Sequence, residues 1–206
     1  MKRAVSISIG SSKRNKAVEV TLFGEKVRVE RIGTDGDMEA AALKYKELDG
    51  AVDAFGMGGG DLGVMTDGKW YPFYSVLPMA RYVKKTPLVD GTGLKNTLEN
   101  RACAVMEAKI KDYLDARGRR VFMAAGVDRW GLAKAFVESG YEIIFGDLMF
   151  GLGVPIPLRT LQQLKILAAL LMPIVGRLPY SWIYPIGEKQ EKRAPKFGKY
   201  YAWATV

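Results

Sequence analysis

The chain has 206 residues, 49% of them hydrophobic, which suffices for one large domain or two small ones with a packed core. Histidine is absent, so a Ser-His triad, a zinc-histidine site and imidazole acid-base catalysis are excluded, and Lys, Asp, Glu, Tyr or a cofactor must carry protons. A net charge of +9 favours anionic partners without separating a phosphorylated cofactor from RNA or a membrane surface, and the lone Cys103 excludes a disulfide framework and a cysteine metal site.

The first residues, MKRAVSISIG, carry a basic pair and then alternating Val5, Ile7 and Ile9. This strand rhythm is too short and too serine-rich for a signal peptide, so a cytoplasmic location is expected. After a polar loop, SSKRNK, the runs AVEVTLF and KVRVERIG predict a hairpin turning at Gly24-Glu25. Thr34 or Asp35 is placed to cap a helix over DMEAAALKYKEL that stops at Gly50. A buried strand, VDAFGM, leads to Gly58, Gly59 and Gly60, and the runs on either side of Asp67-Gly68 predict a second hairpin. A short helix around PMARYVKK, a strand TPLVD and one long helix from Asn96 to Arg117, ended by Gly118, follow.

Next come strand RVFMAA, turn GVDRW, helix GLAKAFVES and strand YEIIF, a βαβ rhythm. Residues 161–186 are strongly apolar, but Pro173, Pro179 and Pro185 interrupt them, so a buried helix with an ordered loop is expected and no transmembrane span. The same segment is where a homo-oligomer contact would form. The closing residues, KYYAWATV, read as a strand with nothing after it, which suggests a paired sheet edge or a chain truncated at Val206. The fold expected is α/β, with Rossmann-like βαβ units and an N-terminal mixed sheet carrying β-hairpins. Residues 1–98 would form a substrate-binding domain, and 99–206 the βαβ unit with the apolar helix and terminal strand.

Glycine turns that open onto helices are the candidate sites, because a helix start aims unpaired N–H groups outward. At GTGLKNT, Gly91 and Gly93 allow close backbone approach, Thr92 and Thr97 offer hydroxyls, and Lys95 a charge. At the βαβ turn, Gly126 ends a strand, Gly131 opens a helix, and Asp147 stands near the ~20-residue offset of a ribose-binding acid. Ser11, Ser12 and Lys13 form a further anion- or hydroxyl-binding loop. The cluster Gly58 to Gly60 is the richest in glycine, yet a hairpin pattern follows it where a phosphate cradle needs a helix.

The blocks KRAVSISIGSSKRNKAVEV, RIGTDGDMEAAA, VDAFGMGGGDLG, PLVDGTGLKNTLENR, GDLMFGLGVPIPLRTL and GEKQEKRAPKF together resemble a family of bacterial proteins labelled quinate 5-dehydrogenase. The resemblance implies NAD(P)-linked oxidation of quinate to 3-dehydroquinate. In the similar shikimate and quinate dehydrogenases a lysine and an aspartate form the catalytic pair, the aspartate within Asn-Thr-Asp-Gly. Gly33-Thr34-Asp35-Gly36 matches that motif after its first residue, which makes Asp35 the counterpart. The motif Asn-Val-Thr-x-Pro-x-Lys is absent, and the usual Gly-Ala-Gly-Gly loop is reduced to Ala124-Ala125-Gly126.

These readings give a leading expectation of an NAD(P)-dependent oxidoreductase for a quinate- or shikimate-like cyclic hydroxy acid. NAD or NADP would lie over Gly126, Gly131 and Asp147. The small anionic substrate would lie near Ser12, Asp35 and Lys95, and Lys95 would take the hydroxyl proton as hydride leaves. Lys95 is chosen for its place at an anion-competent helix start. The alternative is a non-dehydrogenase α/β protein that binds a phosphorylated or carboxylated metabolite through GTGLKNT and SSKR. A third, weaker reading is a nucleic-acid or membrane-surface binder built on the basic stretch Lys189 to Lys199 with Tyr200, Tyr201 and Trp203.

Overall fold

The structure, a computed structural model, describes residues 1–183 and 196–206. Its strands and helices are β1 (Lys2–Ser8), β2 (Lys16–Leu22), β3 (Glu25–Gly33), α1 (Met38–Leu48), β4 (Ala54–Gly58), β5 (Gly63–Thr66), β6 (Lys69–Pro72), β7 (Leu88–Val89), α2 (Thr92–Thr97), α3 (Ala102–Ala116), β8 (Arg120–Met123), α4 (Trp130–Glu138), β9 (Glu142–Phe145), α5 (Asp147–Gly151), α6 (Leu161–Val175), α7 (Tyr180–Ile183) and α8 (Gly198–Trp203). The fold is mixed α/β, with parallel and antiparallel strands and hairpins.

Two compact units divide the chain. The first holds Met1–Gly63, Pro72–Gly91 and 175–183; the second holds Val64–Tyr71, Thr92–Ile174 and 196–206. The chain therefore divides near residue 91 and interleaves, where the sequence reading divides it once, at 98/99.

In the first unit five strands form one sheet in the order β2-β3-β1-β4-β7. β3, β4 and β7 run parallel to β1 or to its neighbour, and only β2 is antiparallel. The alternation Val5, Ile7 with Phe55 and Met57 turns one sheet face inward, and all four are buried. On α1, Ala41, Ala42 and Tyr45 share one face and are buried, and the Tyr45 ring meets Phe55 edge-on at 5.0 Å. The Tyr45 hydroxyl donates toward Ile7 O (3.3 Å) and Gly56 O (3.2 Å), and burial pushes its pKa well above the usual phenol value. Each such buried aromatic or aliphatic side chain contributes roughly 1.5–3 kcal/mol.

The second unit contains the βαβ unit β8-α4-β9, whose two strands pair in parallel from Arg120↔Glu142 to Met123↔Phe145. Val121, Met123, Ile143 and Phe145 are buried, as are Ala133 and Phe136 of α4 and Leu164 and Ala168 of α6. The hairpin β5-β6 turns at Asp67-Gly68 as predicted; both residues have positive φ (49° and 76°), the type I′ geometry that suits Asp-Gly.

Several predicted elements differ. The first hairpin turns at Phe23-Gly24 (φ 51° and 81°), one residue earlier than expected. The cap of α1 is Asp37, whose carboxylate accepts from Ala40 N, because Thr34 and Asp35 are engaged by the preceding turn. The long helix is broken into α2, a 3-10 turn at Glu99–Arg101 and α3, and α3 itself is interrupted at Ile110 (φ −138°). The helix expected near Pro78 is a 3-10 turn, Leu77–Ala80. The terminal strand is instead the helix α8, because Tyr200 packs with Ile144, Met149 and Phe122. Only its last residues run along β8, with Thr205 N and Val206 N donating to Arg120 O and Phe122 N donating to Val206 O.

Pro173 lies within α6, and among the described residues no helix is long and apolar enough to cross a membrane. Ile166, Leu170 and Ile174 recur four apart on α6 and are exposed. Residues 184–186 of the apolar segment, with Pro185, and the basic stretch as far as 195 lie outside the described residues.

Candidate functional site at the carboxyl edge of the first sheet

β1, β3, β4 and β7 point the same way, so their carboxyl ends share one edge of the first unit's sheet. The parallel strand after β1 in sequence, β3, lies on one side of it, and the next, β4, lies on the other. Such a reversal of strand order is where open α/β sheets leave a crevice for ligands. Residues 8–15, 33–37 and 58–61 follow or form these strand ends.

The turn after β1 is built from hydroxyls. Ser8 Oγ accepts from Gly10 N (3.0 Å), and Ser11 Oγ caps the 3-10 turn Ser12–Arg14 by accepting from Lys13 N (3.2 Å). Ser8 and Ser11 are buried. Gly33 closes the turn from below, because a Cβ there would stand 2.6 Å from Ser11 O. Asn15 Oδ1 accepts from Gly33 N at 2.6 Å.

Asp35 reaches into the same turn. Its backbone is left-handed (φ 53°), its N–H donates to Gly10 O, and Oδ1 accepts from Ser12 N at 2.7 Å. Bonds from the Ser12 hydroxyl and amide hold its carboxyl below the usual carboxylate range, helped by the charges of Lys13 and Arg31. Ser11, Ser12, Lys13 and Asp35 are thus brought together, with Asp35 occupying the Ser12 amide.

Arg31, on β3, is the group that sequence reading missed. Its Nη1 donates to Ser11 O (2.9 Å) and toward Asn15 Oδ1 (3.5 Å), and its Nη2 donates to Ser8 Oγ (2.9 Å). All three acceptors are neutral, and none of the ion pairs found among the described residues includes Arg31. Burial lowers its pKa first, and the neighbouring charge of Arg14 lowers it further, against a weaker pull from Asp35. The available signal was parity. Cross-strand pairing sets Arg31 on the same face as Val27 and Val29, at a position where an apolar row should continue.

Beside Gly36 and Asp37, the same unit has a cleft of about 470 Å³ that Ser75, Tyr180 and Ser181 also line. Ser75 Oγ is buried without a hydrogen-bond partner. The Tyr180 hydroxyl donates toward Gly59 O (3.3 Å) and would lie 2.7 Å from a Cβ at Gly60, so Gly60 serves the approach of this ring.

The glycine turns expected to hold anions are filled from within. Gly91 N donates to Asp61 Oδ1 (3.2 Å). In the second unit, Gly126 N and Val127 N donate to the two oxygens of Asp147 (2.9 and 2.8 Å). Burial pushes the Asp147 carboxyl up despite these donors. A Cβ at Gly126 would stand 2.7 Å from both Leu164 and Phe145, and one at Gly131 would strike the Asn100 amide, so both glycines serve packing. Thr97 Oγ1 donates to Gly93 O within α2, a helix of only six residues, and Thr92 starts that helix. Lys95 Nζ lies 2.7 and 2.8 Å from the two oxygens of Asp128, which brings it to the β8–α4 turn.

No curated protein and no solved structure matches the chain. Residues 3–90 match a family described as Domain of unknown function (DUF8753), and residues 93–206 match Domain of unknown function (DUF8754). The two matches part beside the division between the units at Gly91. Because the second match spans more than half of the sequence, the chain belongs to the family described as Domain of unknown function (DUF8754).

Proposed function

We propose that the first unit binds a small carboxylated or phosphorylated metabolite at the carboxyl edge of its sheet, with Arg31 supplying the charge. The observation that carries this reading is the half-buried Arg31 guanidinium, whose hydrogen bonds among the described residues go to the neutral oxygens of Ser8, Ser11 and Asn15. A partly desolvated cation that only a weak pull from Asp35 offsets is costly, and an anionic ligand reduces that cost. The fork geometry of arginine suits two oxygens of a carboxylate or phosphate. Ser12 and Lys13 stand on the adjoining turn.

Thermal unfolding of the intact chain with inorganic phosphate, a sugar phosphate, quinate and NAD tests the reading. At a hundredfold excess over Kd, a bound anion stabilises by about 2.7 kcal/mol, or roughly 5–10 °C for a chain of this size. Such a shift in the wild type, cut to about half or less in Arg31→Gln, is expected. No shift with any anion contradicts it.

A second reading keeps the NAD(P)-linked oxidation of a quinate-like acid, favoured by one observation: Lys95 and Asp128 form a close lysine-aspartate pair beside the βαβ turn. Against it stand the Gly126 and Val127 amides, which already donate to Asp147 and would have to be released for a pyrophosphate. Reduction of NAD or NADP with quinate or shikimate, lost in Lys95→Gln, supports this reading. Absence of turnover by intact protein removes it.

A further inference from the structure

β2 is an edge strand of the first unit's sheet, and Lys16 and Glu19 are its only charged residues, so among the features that normally blunt an edge it has no proline, bulge or shortness. It is seven residues long, has no proline, glycine or bulge, pairs with β3 without interruption, and is exposed throughout. The turn at Phe23-Gly24 is a two-residue type I′ turn, so the residues flanking it, Leu22 and Glu25, form a hydrogen-bonded pair. Alternation along the ladder then turns the backbone N–H and C=O of Leu22, Val20, Val18 and Lys16 toward β3. Those of Thr21, Glu19 and Ala17 point outward from the sheet. Val18, Val20 and Leu22 form an apolar row on one face, each at least 37% exposed, and Phe23 stands fully exposed at the turn.

We propose that β2 pairs with β2 of a second copy of this chain, antiparallel about a two-fold axis at Val20, so that two sheets become one. Identical strands related by a two-fold axis must pair antiparallel, and the register is then set by the residue at the axis. With Glu19 there, two carboxylates face each other. With Val18 there, Lys16 faces the partner's Val20 and Leu22 has no counterpart within the strand. With Val20 at the axis the apolar row is matched throughout: Val20 with the partner's Val20 and Val18 with the partner's Leu22, while Glu19 meets the partner's Thr21 and Phe23 lies beside the partner's Ala17. No like charges stand opposite in this register. Lys16 and Glu19 also leave the strand with no net charge, so it offers a neutral seam between two copies that each carry +9.

Sedimentation equilibrium of the intact chain, with two kinds of variant, tests the pairing. The wild type is expected at twice 22.8 kDa. Thr21→Pro removes an outward-facing N–H and no bond to β3, so it is expected at the single mass. Val20→Cys covers the case in which the proline variant fails to fold. Two Val20 positions form a non-hydrogen-bonded pair with Cα atoms ~4.5 Å apart, within disulfide reach, and Cys103 is buried and does not compete. Mild oxidation is expected to cross-link Val20→Cys into a covalent dimer and to leave Val18→Cys uncross-linked. A wild type that sediments at 22.8 kDa at every concentration overturns the proposal. So does a dimer that persists in folded Thr21→Pro, or equal cross-linking of Val18→Cys and Val20→Cys.

Discussion

Asp147, Asp61 and Asp35 each accept a backbone N–H from a turn that would otherwise be open to an external anion. Asp49 does the same for the amides of Lys84, Lys85 and Thr86. An internal carboxylate is tethered and needs no concentration to bind, so it outcompetes a dilute ligand for the same donors. Arg31 is different, because its partners are oxygens without charge. Arg31→Gln should therefore change thermal stability little without ligand and cut the stabilisation by the bound anion to about half or less, as differential scanning fluorimetry can show.

Glu30 offers a pH test at the same scale. Arg3 first and Arg28 second hold its carboxyl at about 2, below the ordinary 4.5. A folded-state value below the unfolded one means that this ion cluster stabilises the protein above about pH 4.5 and that the gain is lost as pH falls through 2. Glu30→Gln should be less stable than wild type by about 1 kcal/mol at neutral pH, with the difference closing toward pH 2 in denaturant titrations.

At the scale of elements, tight packing fixes where helices start. Gly131, in the first turn of α4, faces the Asn100 side chain, which donates to Asn96 O and leaves its own Oδ1 buried and unpaired. Gly131→Ala should cost about 1–3 kcal/mol through overpacking, and Asn100→Gly in the same chain should recover much of it. Chemical denaturation of the two single variants and the double variant measures that coupling.

Elements with local signals were legible. Asp67-Gly68, the Val5/Ile7 alternation and the β8-α4-β9 rhythm each follow from short-range chemistry. The earlier hairpin turn was not, because it puts Phe23 into a left-handed conformation that phenylalanine ordinarily avoids. The terminal KYYAWATV has strand composition, yet the burial of Tyr200 against Phe122 decides for a helix. The site was half legible: Ser11 and Ser12 were found from the turn sequence and Asp35 through the family resemblance, whereas Arg31 is recognisable only once its face of β3 is known.

At the scale of the whole molecule, charge and apolar surface make separate demands. The excess of +9 favours anions in general, and the site proposed at the carboxyl edge of the first sheet would give that preference a defined place. The exposed row Ile166, Leu170, Ile174 on α6 is a second apolar surface, distinct from β2. Leu170→Gln should alter stability by less than about 0.5 kcal/mol and leave the mass in sedimentation unchanged, since the edge strand carries the self-association. A fall to the single mass would place the contact on α6 instead.

Calorimetric titration of the intact chain with inorganic phosphate and with quinate at low salt tests the central assignment most directly. Wild type and Lys95→Gln should bind at least one of the two anions with the same affinity, and Arg31→Gln should bind it about tenfold or more weakly, the loss of a charge-assisted hydrogen bond. Binding of neither anion to the wild type, or equal binding by Arg31→Gln, would contradict an anion site at the carboxyl edge of the first sheet.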